Sequence, residues 1–186
     1  ISGKDSRNNE FTYVDAQGNQ QTIAIPPTLL ISALGQIEDV RACVTMDLKQ
    51  PGNLLYLVGR THDELGGSHL TLINNLEGGV APKVDGKLAK RTFAGLHRAM
   101  RRGLVAACHD LSEGGLAVAA AEMAFAGGLG AALALEAVPS SLDAASASAK
   151  MHAILLFAES NTRCLCEVPT DKSEGFAAGL NSISPD

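Results

Sequence analysis

His109-Asp110-Leu111-Ser112-Glu113-Gly114-Gly115-Leu116 sets a carboxylate, a hydroxyl of a favoured helix-capping type and two glycines side by side. The run before it, Leu104 to Cys108, reads as a buried strand. The run after it, Leu116 to Ala126, reads as a buried helix carrying Leu116, Val118, Met123 and Phe125. Asp110 then falls at the carboxyl end of a strand. Ser112 is the expected N-cap, and Gly114 and Gly115, which lack Cβ, let an oxygen-rich ligand approach the unpaired N–H groups of the first helical turn. The helix dipole favours negative charge at that end. An aspartate beside an anion site makes sense when a divalent cation bridges it to phosphates, because the carboxylate alone would repel them. The same residues also suit a plain helix cap, and spacing does not choose between the two.

Several elements must position this segment. Residues 1 to 27 read as a glycine-centred loop, a polar stretch, a turn at Ala16-Gln17-Gly18-Asn19 and a short apolar run closed by Pro26-Pro27. The two prolines mark a domain boundary, with residues 1–27 as the tail of one unit and 28–186 as another. Thr28 to Ile37 reads as a long buried strand and Leu54 to Val58 as a second, covered on both faces because its apolar run does not alternate. Asp63-Glu64-Leu65-Gly66-Gly67-Ser68-His69 is either a second ligand-facing loop or a simple connection. Residues 71 to 87 read as loop. Leu88 to Arg102 reads as an amphipathic helix with Phe93, Leu96 and Met100 inward and Gly103 just past its end. Ala131–Leu135, Ala153–Ala158 and Arg163–Val168 read as strands, and Asp171 to Leu180 as a last helix. Strands and helices of these lengths imply an α/β fold, a mixed sheet packed with helices as a sandwich.

Composition narrows the function classes. The 186 residues carry a net charge of −5, against a nucleic-acid partner, and Lys87, Lys90, Arg91, Arg98, Arg101 and Arg102 lie in a helical segment as a solvated face. No apolar run reaches membrane-spanning length and no signal peptide is evident. Four cysteines, Cys43, Cys108, Cys164 and Cys166, show no metal-type pairing, and reduced buried thiols of a cytoplasmic protein are expected. Neither a Walker phosphate loop nor a Gly-x-Gly-x-x-Gly pattern is present. The chain begins at Ile1, and Ser2-Gly3-Lys4-Asp5-Ser6 has no strand before it, so a piece of a longer chain is expected.

Five motifs follow in order: Ser2-Gly3-Lys4-Asp5-Ser6, Pro26-Pro27-Thr28, Asp63-Glu64-Leu65-Gly66-Gly67-Ser68, His109 to Ala117 and Phe157-Ala158-Glu159-Ser160-Asn161-Thr162-Arg163. In this order they resemble phosphoribosylformylglycinamidine synthase, an ATP-dependent ligase of purine biosynthesis built from two tandem copies of an aminoimidazole-ribonucleotide-synthase-like unit. The resemblance implies a sandwich of the aminoimidazole ribonucleotide synthase C-terminal type, in the second copy. It implies Gly3 and Ser112 as ATP contacts, Asp110 as an Mg²⁺ ligand, and Ser6, Glu159, Ser160 and Asn161 as contacts to formylglycinamide ribonucleotide. Lys4 stands where the smaller bacterial form has a metal-binding asparagine. The family's catalytic histidines have no counterpart, so no catalytic residue is assigned. Expected partners are a glutaminase domain or subunit supplying ammonia, the remaining domains of the full chain, and a second copy of the fragment. Two alternatives stay open: a non-catalytic half holding an auxiliary nucleotide, or a relative such as aminoimidazole ribonucleotide synthase or selenophosphate synthetase.

Overall fold

The computed structural model describes residues 2–5, 10–24, 29–142 and 149–181, and divides the chain into two compact units, residues 1–41 and 42–186. In the first unit, β1 (Ser2–Asp5) pairs antiparallel with β4 (Leu29–Ser32), and β2 (Glu10–Val14) with β3 (Gln20–Ala24). The β2–β3 turn falls where Ala16-Gln17-Gly18-Asn19 predict it. The Asp15 carboxylate accepts the backbone N–H groups of Gln17 at 3.0 Å and Asn19 at 2.8 Å, and Gly18 takes the positive φ of 83° that the turn needs. Two expectations change here. Gly3 lies in a strand rather than a loop, and the strand expected over 28–37 is only Leu29–Ser32. Beyond it the backbone is irregular and Leu34 is 97 % exposed, because apolar content alone gave that segment no neighbour to pair with.

The second unit is a three-stranded antiparallel sheet in the order β5 (Leu54–Val58), β7 (Cys164–Val168), β6 (Ala107–Asp110). Its helices are α1 (His69–Ile73), α2 (Gly86–Arg101), α3 (Gly115–Gly127), α4 (Ala149–Phe157) and α5 (Ser173–Asn181). Among the described residues, the parallel component is the single bridge between Thr61 and Ser140. β7 is the middle strand and every residue of it is buried. Leu165 packs with Leu48, Leu111, Leu116, Ala120 and Met123 on the α3 face, where Leu55 and Leu57 of β5 join. Cys164, Cys166 and Val168 pack with Leu96, Ala99 and Phe176 on the opposite face, beside Tyr56 and Cys108. The sheet is thus covered on both sides, as the unbroken apolar run of β5 implies.

Glu167 is a carboxylate 1 % exposed in that core, and it is tolerated because it accepts from Lys49 N–H at 2.7 Å, Gln50 N–H at 3.0 Å and Asn53 Nδ2 at 2.6 Å. All four cysteines are free. The Cys108 and Cys166 sulfurs lie 3.7 Å apart across the sheet. Contact with Cys164 draws the Cys108 thiol down, but contact with Cys166 and burial outweigh it and push the thiol up to about 12. No helix among the described residues is long and apolar enough to cross a membrane.

Several element assignments move. Ala153–Ala158 is the end of helix α4 and the turn after it, not a strand, since a short apolar run fits a helix facing a core as well as it fits a strand. Ala131–Leu135 forms no strand and leads into a single 3₁₀ turn at Leu135–Ala137. The strand expected from Leu104 starts only at Ala107, residues 71–73 finish α1, and α5 is preceded by a 3₁₀ turn at Thr170–Lys172. Phe93, Val118 and Phe125, expected inside, are 51 %, 38 % and 71 % exposed.

Phe176 is fully buried with its ring centroid 5.1 Å from that of Tyr56, whereas Phe125 is 71 % exposed. Phe176→Ala should therefore lower unfolding free energy by about 3–5 kcal/mol in urea titrations. Phe125→Ala should change it by no more than about 0.5 kcal/mol. Asp85 caps α2, accepting from Leu88 N–H at 3.0 Å and Lys87 N–H at 2.9 Å, and these bonds hold its carboxyl below the ordinary 3.8. A depressed native pKa means the cap stabilises fully above the ordinary value and is lost as pH falls through the native one. The stability gap between wild type and Asp85→Ala should be constant near neutrality and close only below pH 3.8.

Candidate functional site

The antiparallel register gathers the site. Val58 at the end of β5 and Asp110 at the end of β6 both pair with Cys164 at the start of β7. Three loops, residues 59–68, 111–114 and 158–163, therefore emerge at one end of the sheet. Around them lies a cleft of about 470 Å³ lined by Pro82, Phe93, Asp110 to Glu113, Glu159 and Asn161 to Cys164. Asp110, Ser112, Glu159 and Asn161, expected from separate motifs, share this cleft.

Each has a distinct situation. The Asp110 side chain is 73 % exposed, with His109 Nδ1 3.3 Å from its Oδ1. His109 in turn places Nε2 2.8 Å from the Glu122 carboxylate, so its ring stands between two acidic groups. Ser112 is exposed but is not the N-cap. That position belongs to Gly114, which adopts φ 77° and offers no side chain, while the Ser112 carbonyl accepts the Gly115 N–H at 3.1 Å. The double glycine answers a packing demand: a Cβ on Gly115, itself at φ 62°, would strike the carbonyls of Leu156 and Ala158.

The anion at the start of α3 is supplied by the protein itself. Glu159 Oε1 accepts the Gly114 N–H at 2.8 Å and the His69 N–H at 2.8 Å, and lies 3.5 Å from His69 Nδ1. One carboxylate oxygen thus joins the entry of α1 to the entry of α3. Ser160 does not reach the cleft as a ligand contact would. It is fully buried, accepting the His62 N–H at 3.1 Å through its hydroxyl. Asn161 is exposed at the cleft wall. Gly3 lies in the other unit, on β1, and Ser6 lies outside the described residues.

Beneath the cleft lies a buried polar layer of Thr61, Glu64, Ser68, Arg163 and the expected contact Ser160, a layer that no sequence pattern marks. Burial draws the Arg163 guanidinium down to about 10, with Glu64 opposing, so it stays cationic at neutral pH. The signal available was an arginine between polar loop residues and an apolar strand, which pattern alone reads as surface. Asp110 and Glu113 give the cleft an acidic rim. No group of three or more His, Cys, Asp or Glu able to hold a metal exists among the described residues. The open carboxylates of Asp110 and Glu113 are ligands of the kind a hydrated Mg²⁺ would take, since that ion uses one or two carboxylates together with phosphate oxygens.

The AIR synthase related protein, C-terminal domain model matches residues 50–182. The chain belongs to that family. Phosphoribosylformylglycinamidine synthase subunit PurL of Deinococcus radiodurans is 36 % identical over 179 residues, covering 93 % of this chain and 22 % of the relative. The same subunit of Thermococcus sibiricus is 42 % identical over 115 residues, or 62 % of this chain and 16 % of the relative. Among solved structures, Thermotoga maritima PurL complexed with FGAR aligns with a TM-score of 0.67 at 19 % identity, covering 77 % of this chain and 24 % of that one. The chain therefore spans about a fifth of the length of the relatives it matches, and the α/β sandwich is the family's fold.

Glu159→Ala removes the acceptor of two backbone N–H groups, and hydrogen bonds to a charged group are worth about 1.5–3 kcal/mol each. It should lower the unfolding free energy measured in urea by at least about 2 kcal/mol. Glu159→Gln, which keeps one acceptor oxygen, should lose clearly less.

Proposed function

We propose that this chain is part of a phosphoribosylformylglycinamidine synthase, which uses ATP to convert formylglycinamide ribonucleotide to its amidine with ammonia drawn from glutamine. In this reading the cleft at the sheet end holds the phosphates of a nucleotide. The observation that carries it is the convergence of Asp110, Ser112 and Asn161 on one 470 Å³ cleft, with the Asp110 carboxylate open at the rim. The likeness to phosphoribosylformylglycinamidine synthase subunits, and to Thermotoga maritima PurL structures complexed with ATP and with FGAR, supports the same reading.

The chain's own residues divide the work. Asp110 would hold Mg²⁺, whose charge would offset that of the phosphates. Ser112 and the exposed Asn161 contact the nucleotide and substrate sides of the cleft. Glu159 keeps the Gly114 turn and the start of α1 in place, and its carboxylate is the group a substrate contact would have to share. Gly3 contacts ATP and Ser6 the substrate, as members of the preceding nucleotide-binding domain whose tail is residues 1–27. ATP transfers its γ-phosphoryl group to the amide oxygen with release of ADP, and ammonia delivered by a glutaminase domain or subunit then displaces phosphate to leave the amidine. The setting is the cytoplasm, and contact with the remaining domains, or with a second copy of the fragment, completes the assembly.

Asp110→Asn in the full-length protein tests this. Because the side chain is 73 % exposed, melting without ligand should stay within about 1 °C of wild type. The affinity for ADP in the presence of Mg²⁺, read by calorimetric titration, should fall at least about tenfold. Unchanged affinity would sink the nucleotide assignment.

A further inference from the structure

The segment from Ala158 to Arg163 carries Glu159 and Asn161 to the cleft, and one side chain beneath it holds its shape. Arg163 is 2 % exposed. Its Nε donates to the Ser160 carbonyl at 2.9 Å, Nη1 donates to the Thr61 hydroxyl at 2.9 Å, and Nη2 donates to the Ala158 carbonyl. A single guanidinium therefore ties two carbonyls of the loop to the exit of β5. The backbone carbonyl of the same residue accepts the Leu111 N–H at 3.0 Å, next to Asp110 on the exit of β6. The two walls of the cleft, Asp110–Ser112 and Glu159–Asn161, meet at this one residue.

The local backbone shows how tightly the loop is determined. Thr162 takes a φ of 63°, a left-handed conformation that side chains rarely adopt and that persists where surrounding contacts hold it. Gly59, at φ 98°, allows the approach, since a Cβ there would collide with the Thr162 carbonyl and the Arg163 side chain. Glu64 supplies the opposing charge. It is 6 % exposed, Oε1 accepts the Lys83 N–H at 3.2 Å, and Oε2 has no hydrogen-bond partner among the described residues. A carboxylate buried this deeply needs a nearby cation.

We propose that Arg163 is the positioning residue of the cleft, fixing the separation of its two walls so that a cation on Asp110 and a phosphate-bearing ligand at Asn161 are met together. The proposal rests on the nucleotide reading of the cleft. Lysine cannot replace Arg163, because three acceptors in different directions require the planar fork of a guanidinium rather than one ammonium. Methionine would leave Glu64 buried without its counter-charge, and such a variant would report misfolding rather than positioning.

The test is Arg163→Lys in the full-length protein, with Asp110→Asn and Ile154→Val as controls, the latter trimming a core residue 3 % exposed. Amide hydrogen exchange at His62, Leu111 and Gly114 should quicken about tenfold in Arg163→Lys, while Tyr56 and Cys166 on the sheet keep wild-type protection. Titration with ADP and Mg²⁺ should show an affinity loss of about tenfold, the scale seen when a partner orienting a ligand group is altered. Ile154→Val should lower the melting temperature without changing affinity. Wild-type protection at the three amides overturns the proposal, as does faster exchange with wild-type affinity, or an affinity loss that Ile154→Val reproduces. Should Asp110→Asn leave affinity intact, the nucleotide reading fails instead, and exchange at the three amides alone decides whether Arg163 holds the walls.

Discussion

Burial of β7 on both faces is the constraint from which the second unit follows. A strand flanked by two others and covered by α3 on one side and by α2 and α5 on the other has no solvent face, so all five of its residues are buried. That placement forces Glu167 to find three donors in the Lys49–Asn53 turn, and so anchors the chain leading into β5. It also fixes the register. With β5 and β6 both antiparallel to β7, their carboxyl ends and its amino end must coincide. The cleft is a geometric product of that coincidence.

Charge is then arranged in two levels. Carboxylates of Asp110 and Glu113 stand in solvent at the rim, while Arg163 and Glu64 lie under the loop. Between them, Glu159 satisfies helix-start amides that would otherwise attract an external anion. A helix N-terminus occupied by an internal carboxylate is a structural joint, and the open part of the cleft is the aspartate side.

What was legible in the sequence was local and what was hidden was tertiary. The apolar run Leu54–Val58, the strand expected over Arg163–Val168, the strand end at Asp110, the Ala16–Asn19 turn and the glycine after α2 all carry their signal within a few residues, and the structure reproduces them with the last strand starting one residue later, at Cys164. The Ala153–Ala158 run misled because β-branching and length do not separate a short buried helix from a buried strand. Ser112 misled for another reason: a favoured capping type lost to the need for a Cβ-free turn against the Leu156 and Ala158 carbonyls, a contact between residues more than forty apart. Asp110, Glu159 and Asn161 were expected from separate motifs, and neither their grouping nor the buried Thr61–Glu64–Arg163 layer has a periodic signature. Both exist only through the pairing of distant strands.

The three sulfurs on the α2–α5 face of the sheet have a consequence for observing the molecule. Cys164 and Cys166 are buried and Cys108 half-buried, and with its thiol held protonated Cys108 reacts slowly while the layers stay packed. The pace at which an alkylating reagent marks them therefore measures how often the helices lift from the strands, making the core a clock for its own breathing.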